Sequence, residues 1–266
     1  MENFQPPSLV AEIVFCLGGH AEAHGHEVTC ASGLPITNTI LAAWLAIAAV
    51  IVFSLLATRN MKLIPGGLQN FAELAIEGLL TPCEQFAGAR GRAFLPLVAS
   101  LFFFILVANW MGILPFYAAN DWNEGEIAWT ASHAAPLRSA NSDLNIPAAM
   151  AAIVFIWVQF QMIRTQGLFG WVKHLTWGPP PVLELISEIA RPVSLALRLF
   201  GNIYAGEVLL LVMSKLTLGI VVPFIFMAFE LFVGIVQALI FAILTLAFLS
   251  LATTAHDNEA HEGAHH

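Results

Sequence analysis

Long apolar blocks separated by short polar punctuation make up most of this chain. No charged residue falls between Val28 and Thr58, and a helix needs only about 20 apolar residues to cross a hydrocarbon core of about 30 Å, so a first span is placed at 36–58. The next segment, 66–90, has a different rhythm. Leu68, Phe71, Ala75, Leu79 and Phe86 recur at helical spacing against Gln69, Asn70, Glu73, Glu77 and Glu84, which predicts an amphipathic helix lying along the inner face and interrupted by Pro82. Two further apolar blocks predict spans at 93–117, broken near its end by Gly112 and Pro115, and at 144–163.

Gly178-Pro179-Pro180-Pro181 forbids helix and opens a new part of the chain. The two blocks that follow, 182–214 and 219–254, are too long to stand upright. At 1.5 Å per residue they would run about 50 Å and about 45 Å, so they are expected to form a hairpin tilted well beyond the usual ~20°. The fold class is therefore an all-α membrane protein with about five membrane-inserted helices and one interfacial helix. An outer N-terminal segment (1–35) precedes a single polytopic membrane domain (36–252), and a His- and acid-rich tail (255–266) follows.

Composition agrees with that pattern and adds orientation. The chain is 58% hydrophobic and only 11% charged, with a mean hydropathy of +0.78, which is too few charges for a soluble surface. The net charge of −8 lacks the basic stripe that nucleic acid requires. Residues 1–35 hold no Lys or Arg, whereas Arg59, Lys62, Arg90 and Arg92 follow the first span; the positive-inside asymmetry places the N-terminus outside and, after five crossings, the C-terminus in the cytoplasm. The short apolar run Leu9–Leu17 contains Glu12 and has no positive flank, so it reads as retained rather than as a cleaved signal. The loop from Tyr117 to Asp143 lies outside, with Asp121, Glu124, Glu126 and Asp143 against the single Arg138, and Trp122 and Trp129 as interface anchors.

Cys16 and Cys30 share the outer segment, where a disulfide can persist, and Cys83 falls on the inner side. Together with His20, His24 and His26, and with His256, His261, His265 and His266 in the tail, they have the chemistry of zinc ligands. Both ends are read as solvated, flexible termini, and no metal or cofactor is expected.

The candidate chemistry is a set of polar residues at lipid depth. Arg198 sits within Leu195-Ala196-Leu197-Arg198-Leu199-Phe200, where a cation that cannot be deprotonated costs roughly 2.5–3.5 kcal/mol and so calls for a partner. Glu184, Arg191, Ser194, Arg198 and Asn202 fall along one side of the first long helix, and Glu207 points away from that stripe. Glu230 and Gln237, seven apart on the second long helix, share a face. The economical arrangement aims Glu207 at Glu230 across the hairpin and lets Gln237 approach Arg198. Two such carboxyls do not both ionise readily, and a pair of them can hold or pass a proton. Arg191 and Glu188, near the inner interface, are read as snorkelling or paired structural residues, and Gly201 and Gly206 as sites of close helix contact.

The run Arg191-Pro192-Val193-Ser194-Leu195-Ala196-Leu197-Arg198-Leu199-Phe200-Gly201-Asn202-Ile203-Tyr204-Ala205-Gly206-Glu207 closely resembles the signature of subunit a of the rotary F-type ATP synthase. Gln69-Asn70-Phe71, Ala108-Asn109-Trp110-Met111-Gly112-Ile113-Leu114-Pro115, Asp143-Leu144-Asn145 and Gln237-Ala238-Leu239-Ile240-Phe241 agree in order, and the resemblance covers the chain from about residue 36 onward. It implies a non-catalytic membrane stator of a bacterial inner membrane that lies against a ring of c subunits and is held by peripheral-stalk b subunits. It also implies an outer aqueous half-channel including Asn202, Glu207, Glu230 and Gln237, an inner one near Glu184, and a ring carboxylate as the partner of Arg198. Where some relatives carry His, this chain has Glu230, so acid faces acid. Protons are the expected ion, with sodium as the alternative. A secondary transporter is the competing reading, but no internal repeat supports it.

Overall fold

The computed structural model describes the backbone of residues 13–17, 21–24, 27–30, 34–113, 138–177, 181–216 and 221–262, and the side chains of most of these from residue 36 onward. Six helices carry the chain: α1 (Asn38–Thr58), α2 (Gly67–Ala87), α3 (Gly91–Ile113), α4 (Asn145–Trp177), α5 (Pro181–Leu216) and α6 (Val221–Glu262). Five of them are long and apolar enough to cross a membrane, over Asn38–Thr58, Gly91–Ile113, Asn145–Thr165, Ile186–Leu210 and Phe224–Thr253. Most of the outer loop, including Trp122 and Trp129, lies outside the described residues.

Besides the C-terminal tail, read as a flexible terminus but helical as far as Glu262, three elements differ from the sequence reading. The N-terminal segment, expected as a flexible terminus, contains four short strands: β1 (Ile13–Leu17) pairs antiparallel with β4 (Leu34–Thr37), and β2 (Ala21–His24) with β3 (Glu27–Cys30). Its β-branched and aromatic runs, Ile13-Val14-Phe15 and Val28-Thr29, supply the propensity. Cys16 and Cys30 stand in different sheets, and their side chains, like those of the terminal histidines, lie outside the described residues. Second, α2 runs through Pro82 without interruption. The proline removes one backbone bond on an exposed helix, and the Thr81 hydroxyl bonds the Glu77 carbonyl one turn back at 3.1 Å. Third, α4 extends past its apolar span to Trp177 and bends at Gly167, whose φ of 74° leaves the helical region.

The chain divides into two compact units. One comprises Met1–Leu55, Phe103–Ile146 and Leu199–Gln237; the other Leu56–Phe102, Pro147–Arg198 and Ala238–His266. The first has a small-residue core in which Ala42 and Ala46 of α1, Ala108 of α3 and Ala140 are buried, with Phe104, Val107, Met111 and Ile146 packed around them. Alanines allow helix backbones to approach closely where lipid supplies no hydrophobic drive. Above that core lies a buried polar seam. Asn141 Nδ2 donates to Asn109 Oδ1 at 2.7 Å, Ser139 Oγ to the Ala108 carbonyl at 3.3 Å, and Thr39 Oγ1 to Asp143 Oδ2 at 3.4 Å. Asp143 also accepts the Asn145 backbone N–H at 3.2 Å, which holds the start of α4.

In the second unit the polar contacts gather around the C-terminal part of α6. Arg90 Nη1 donates to the Thr253 carbonyl at 3.2 Å, Ser250 Oγ to the Phe86 carbonyl at 2.5 Å, and Thr165 Oγ1 to the Ala252 carbonyl at 3.4 Å. Cys83 is fully buried on α2, and burial, with the nearby Glu84 charge, pushes its thiol above the ordinary value.

Two outcomes test this packing. Cys83 should react with a thiol-specific maleimide at neutral pH roughly tenfold or more slowly in the native membrane protein than in the denatured chain, because both the thiolate fraction and access are reduced; mass spectrometry of the labelled peptide reads this. Asp143→Ala should lower stability by about 0.5–2 kcal/mol, the usual effect of removing a helix-capping acceptor, measured by thermal unfolding in detergent.

Candidate functional site

Arg198 occupies α5 within an apolar span, where Leu195, Ala196 and Leu199 are buried and Leu197 is exposed. Its own side chain is exposed on the chain surface. Among the described residues it has no hydrogen bond and no ion pair. Ser194, one turn before it, and Asn202, one turn after, are exposed as well. A permanent charge in such a position is available to a group that approaches from outside the chain.

In the first unit Asn202 and Gln237 meet. Asn202 Nδ2 donates to Gln237 Oε1 at 2.6 Å, and Gln237 is only 2% exposed. The partner of Gln237 is thus found four residues beyond Arg198 on the same helix. Gln237 Nε2 is buried with no hydrogen-bond partner among the described residues, as are Glu230 Oε2 and Asn141 Oδ1. Buried polar atoms are normally satisfied by protein or by ordered water, and at membrane depth polar groups persist where protein or water surrounds them.

Glu207 lies near Glu230, but its hydrogen-bonding partner is Arg138, which the sequence reading did not name: Arg138 Nη2 donates to Glu207 Oε2 at 2.8 Å and Nε donates to the same oxygen at 3.1 Å. Both side chains are largely buried, at 12% and 20% exposure, and the Ser142 hydroxyl sits beside the carboxylate. An uncompensated anion there would be costly, and the guanidinium on the segment leading into α4 is near enough to offset part of that cost. Glu230 packs one residue away, with its Oε1 directly against Gly206, where a side chain would collide with the carboxyl. It is close enough to Glu207 for their charges to interact. The glycine leaves room for that approach without moving the carboxyl.

Arg138 was missed as a site residue because no helical periodicity relates it to α5. The available signal was its isolation: a single cation in an acidic loop, beside the short polar run Ser139 to Asp143. Glu184 lies in the first turns of α5, and its side chain is outside the described residues. Of the two readings given for Glu188, the paired structural one fits. It is buried at 7% exposure and accepts a bond from Gln159 Nε2 at 2.8 Å. Arg191 stacks 5.6 Å from the ring centre of Phe248, and these residues line a small cavity with Val154, Val158 and Leu195.

Chemically, the first unit presents two neighbouring carboxyls, one ion-paired and one not, with an amide pair on the same two helices. Such an array can accept, hold and release protons, and it has no nucleophile poised for covalent work. Among the described residues no group of three His, Cys, Asp or Glu could hold a metal ion.

Comparison with known proteins gives this array a context. Residues 40–250 match the ATP synthase A chain family. The chain is 34% identical over 256 residues to ATP synthase subunit a of Mycobacterium leprae, covering 91% of this chain and 96% of the relative. It is 33% identical over 212 residues to ATP synthase subunit a 3 of Pelobacter propionicus, covering 77% and 83%, and 33% identical over 223 residues to ATP synthase subunit a of Gloeobacter violaceus, covering 83% and 85%. The match spans all five apolar helices, and the chain accordingly belongs to the ATP synthase A chain family of integral membrane proteins.

Proposed function

We propose that this chain is the proton-conducting stator of a rotary F-type ATP synthase, in which it lines two aqueous half-channels and couples ion flow to rotation of a ring of c subunits. The observation that carries the reading is Arg198: a permanent cation at membrane depth, exposed on its own chain, without a partner among the described residues. A ring carboxylate moving past it would complete the pair, and the fixed charge would oppose a straight cation leak.

Asn202, Glu207, Glu230 and Gln237 line the outer half-channel in this reading. The Asn202–Gln237 bond and the orphaned atoms of Glu230 and Gln237 support a wet, polar lining there. The inner half-channel opens near Glu184, fourteen positions before Arg198 on α5, and each ring carboxylate must unload before it passes the arginine. A unit charge crossing the membrane is worth about 2.3 kcal/mol per 100 mV, so keeping the two passages separate delivers that drop to rotation rather than to leakage. The stator breaks no covalent bond. ATP chemistry belongs to other subunits, peripheral-stalk b subunits hold this one in place, and the setting is the bacterial inner membrane with the N-terminus outside and the C-terminus cytoplasmic. Protons are the favoured ion because a carboxyl can take up and release them, and amides can hold the water that carries them onward.

Arg198→Ala should abolish proton-driven ATP synthesis in membrane vesicles while the assembled complex is still recovered; full synthesis by that variant would overturn the stator reading. Glu207→Gln combined with Glu230→Gln should lower proton conduction from the outer side by roughly 100-fold or more, the usual effect of losing positioned proton carriers, read by a pH-sensitive dye. Undiminished conduction would remove both carboxyls from the outer passage.

A further inference from the structure

Arg138 lies outside the half-channel residues assigned above, yet it makes the one ion pair found inside the first unit among the described residues. We propose that Arg138 is a positioning residue of the outer passage, which fixes Glu207 as its counter-ion and leaves Glu230 as the carboxyl that takes up each proton and hands it on. This rests on the reading of the chain as a proton-conducting stator and assigns the two acids different tasks.

Three observations carry it. The first is the fork. Arg138 directs both Nε and Nη2 to one oxygen, Glu207 Oε2, at 3.1 and 2.8 Å, and a planar guanidinium engaged twice fixes direction as well as charge. The second is the anchorage of Arg138. Residues 139–143 are all buried, and Ser139 and Asn141 bond the end of α3 through the Ala108 carbonyl and Asn109 Oδ1. The backbone that carries the guanidinium is therefore tied to a helix, unlike an arginine on a free loop.

The third is the contrast with Glu230. Among the described residues the charged groups near Glu230 are Glu207, across Gly206, and Arg138, which is paired with Glu207. Its Oε2 is buried with no partner among the described residues. A buried anion without a cation is far more costly than a neutral acid, whereas a buried anion on a guanidinium is compensated. The arrangement thus separates an acid held by a cation from an acid with an oxygen left open to exchange a proton. Gln237 stands two turns along α6 from Glu230, bonded to Asn202 on α5, so the transfer runs toward the helix that carries Arg198. Only O–H bonds change: a hydronium ion on the outer side gives its proton to a Glu230 oxygen and becomes water, and Glu230 gives the proton to a water hydrogen-bonded by the Gln237 and Asn202 amides.

The test uses the assembled complex in vesicles, stripped of its catalytic head, with proton conduction driven by a potassium diffusion potential and read at several outer pH values. Arg138→Gln should slow conduction roughly 100-fold, because Glu207 is left without its counter-ion and competes for the proton. Adding Glu207→Gln should restore conduction to within about threefold, since removing both partners removes the uncompensated charge. Glu230→Gln should abolish conduction in either background. A double Arg138→Gln/Glu207→Gln variant as slow as Arg138→Gln alone, or wild-type conduction by Glu230→Gln, would overturn the proposal. Should Arg138→Gln not assemble, Arg138→Lys keeps the charge and loses the fork; reduced conduction with a displaced outer pH profile supports the assignment, and an unchanged rate and profile refutes it. Arg198→Ala, run alongside in vesicles that retain the catalytic head, separates the two readings: lost synthesis there with a slow double variant removes only the role of Arg138.

Discussion

An unmatched charge or polar group at bilayer depth costs several kcal/mol, and this constraint orders the polar residues of both units. In the first unit it draws Arg138 onto Glu207, Asn109 onto Asn141 and Asn202 onto Gln237. In the second it draws Gln159 onto Glu188 and gathers hydroxyl and guanidinium donors onto backbone carbonyls of neighbouring helices. The apolar packing tolerates these contacts because small residues let the backbones close in, as at the alanine core of α1 and α3 and at Gly206 beneath Glu230.

Against that background the two arginines at opposite extremes of satisfaction divide the chemistry. Arg138 is buried and engaged twice by an acid of its own chain. Arg198 is exposed, and its chain offers it no acid among the described residues. The physical difference is where the partner comes from. A charge matched internally organises the fold around it, whereas a charge left open at membrane depth has a reason to exist only if something outside the chain arrives to match it. The proposed stator function depends on that asymmetry.

The acids show the same division. Glu207 and Glu188 each have a committed donor, while Glu230 has a buried oxygen without one. Identical side chains are thereby given different surroundings by their neighbours, as is usual when carboxyls perform different tasks in one protein. Membership of the ATP synthase A chain family supplies the setting, but the distinction between the acids comes from contacts in this chain.

The sequence by itself determined the fold class, the five apolar helices and the anomalous cost of Arg198, because hydrophobic blocks of span length and a charge within them are local facts that survive any packing. It also placed Glu207 off the Arg198 stripe, since helical periodicity fixes direction around an axis. It did not determine partners. Arg138 and Glu207 are 69 positions apart, Asn202 and Gln237 are 35 apart, and no periodicity reaches across a loop to choose among candidate acids. Pro82 illustrates the same limit, for the helix continues through a residue that local chemistry reads as an interruption. Tertiary structure alone decided which acid met a cation and which did not, because that choice turns on a few ångströms of approach between distant segments.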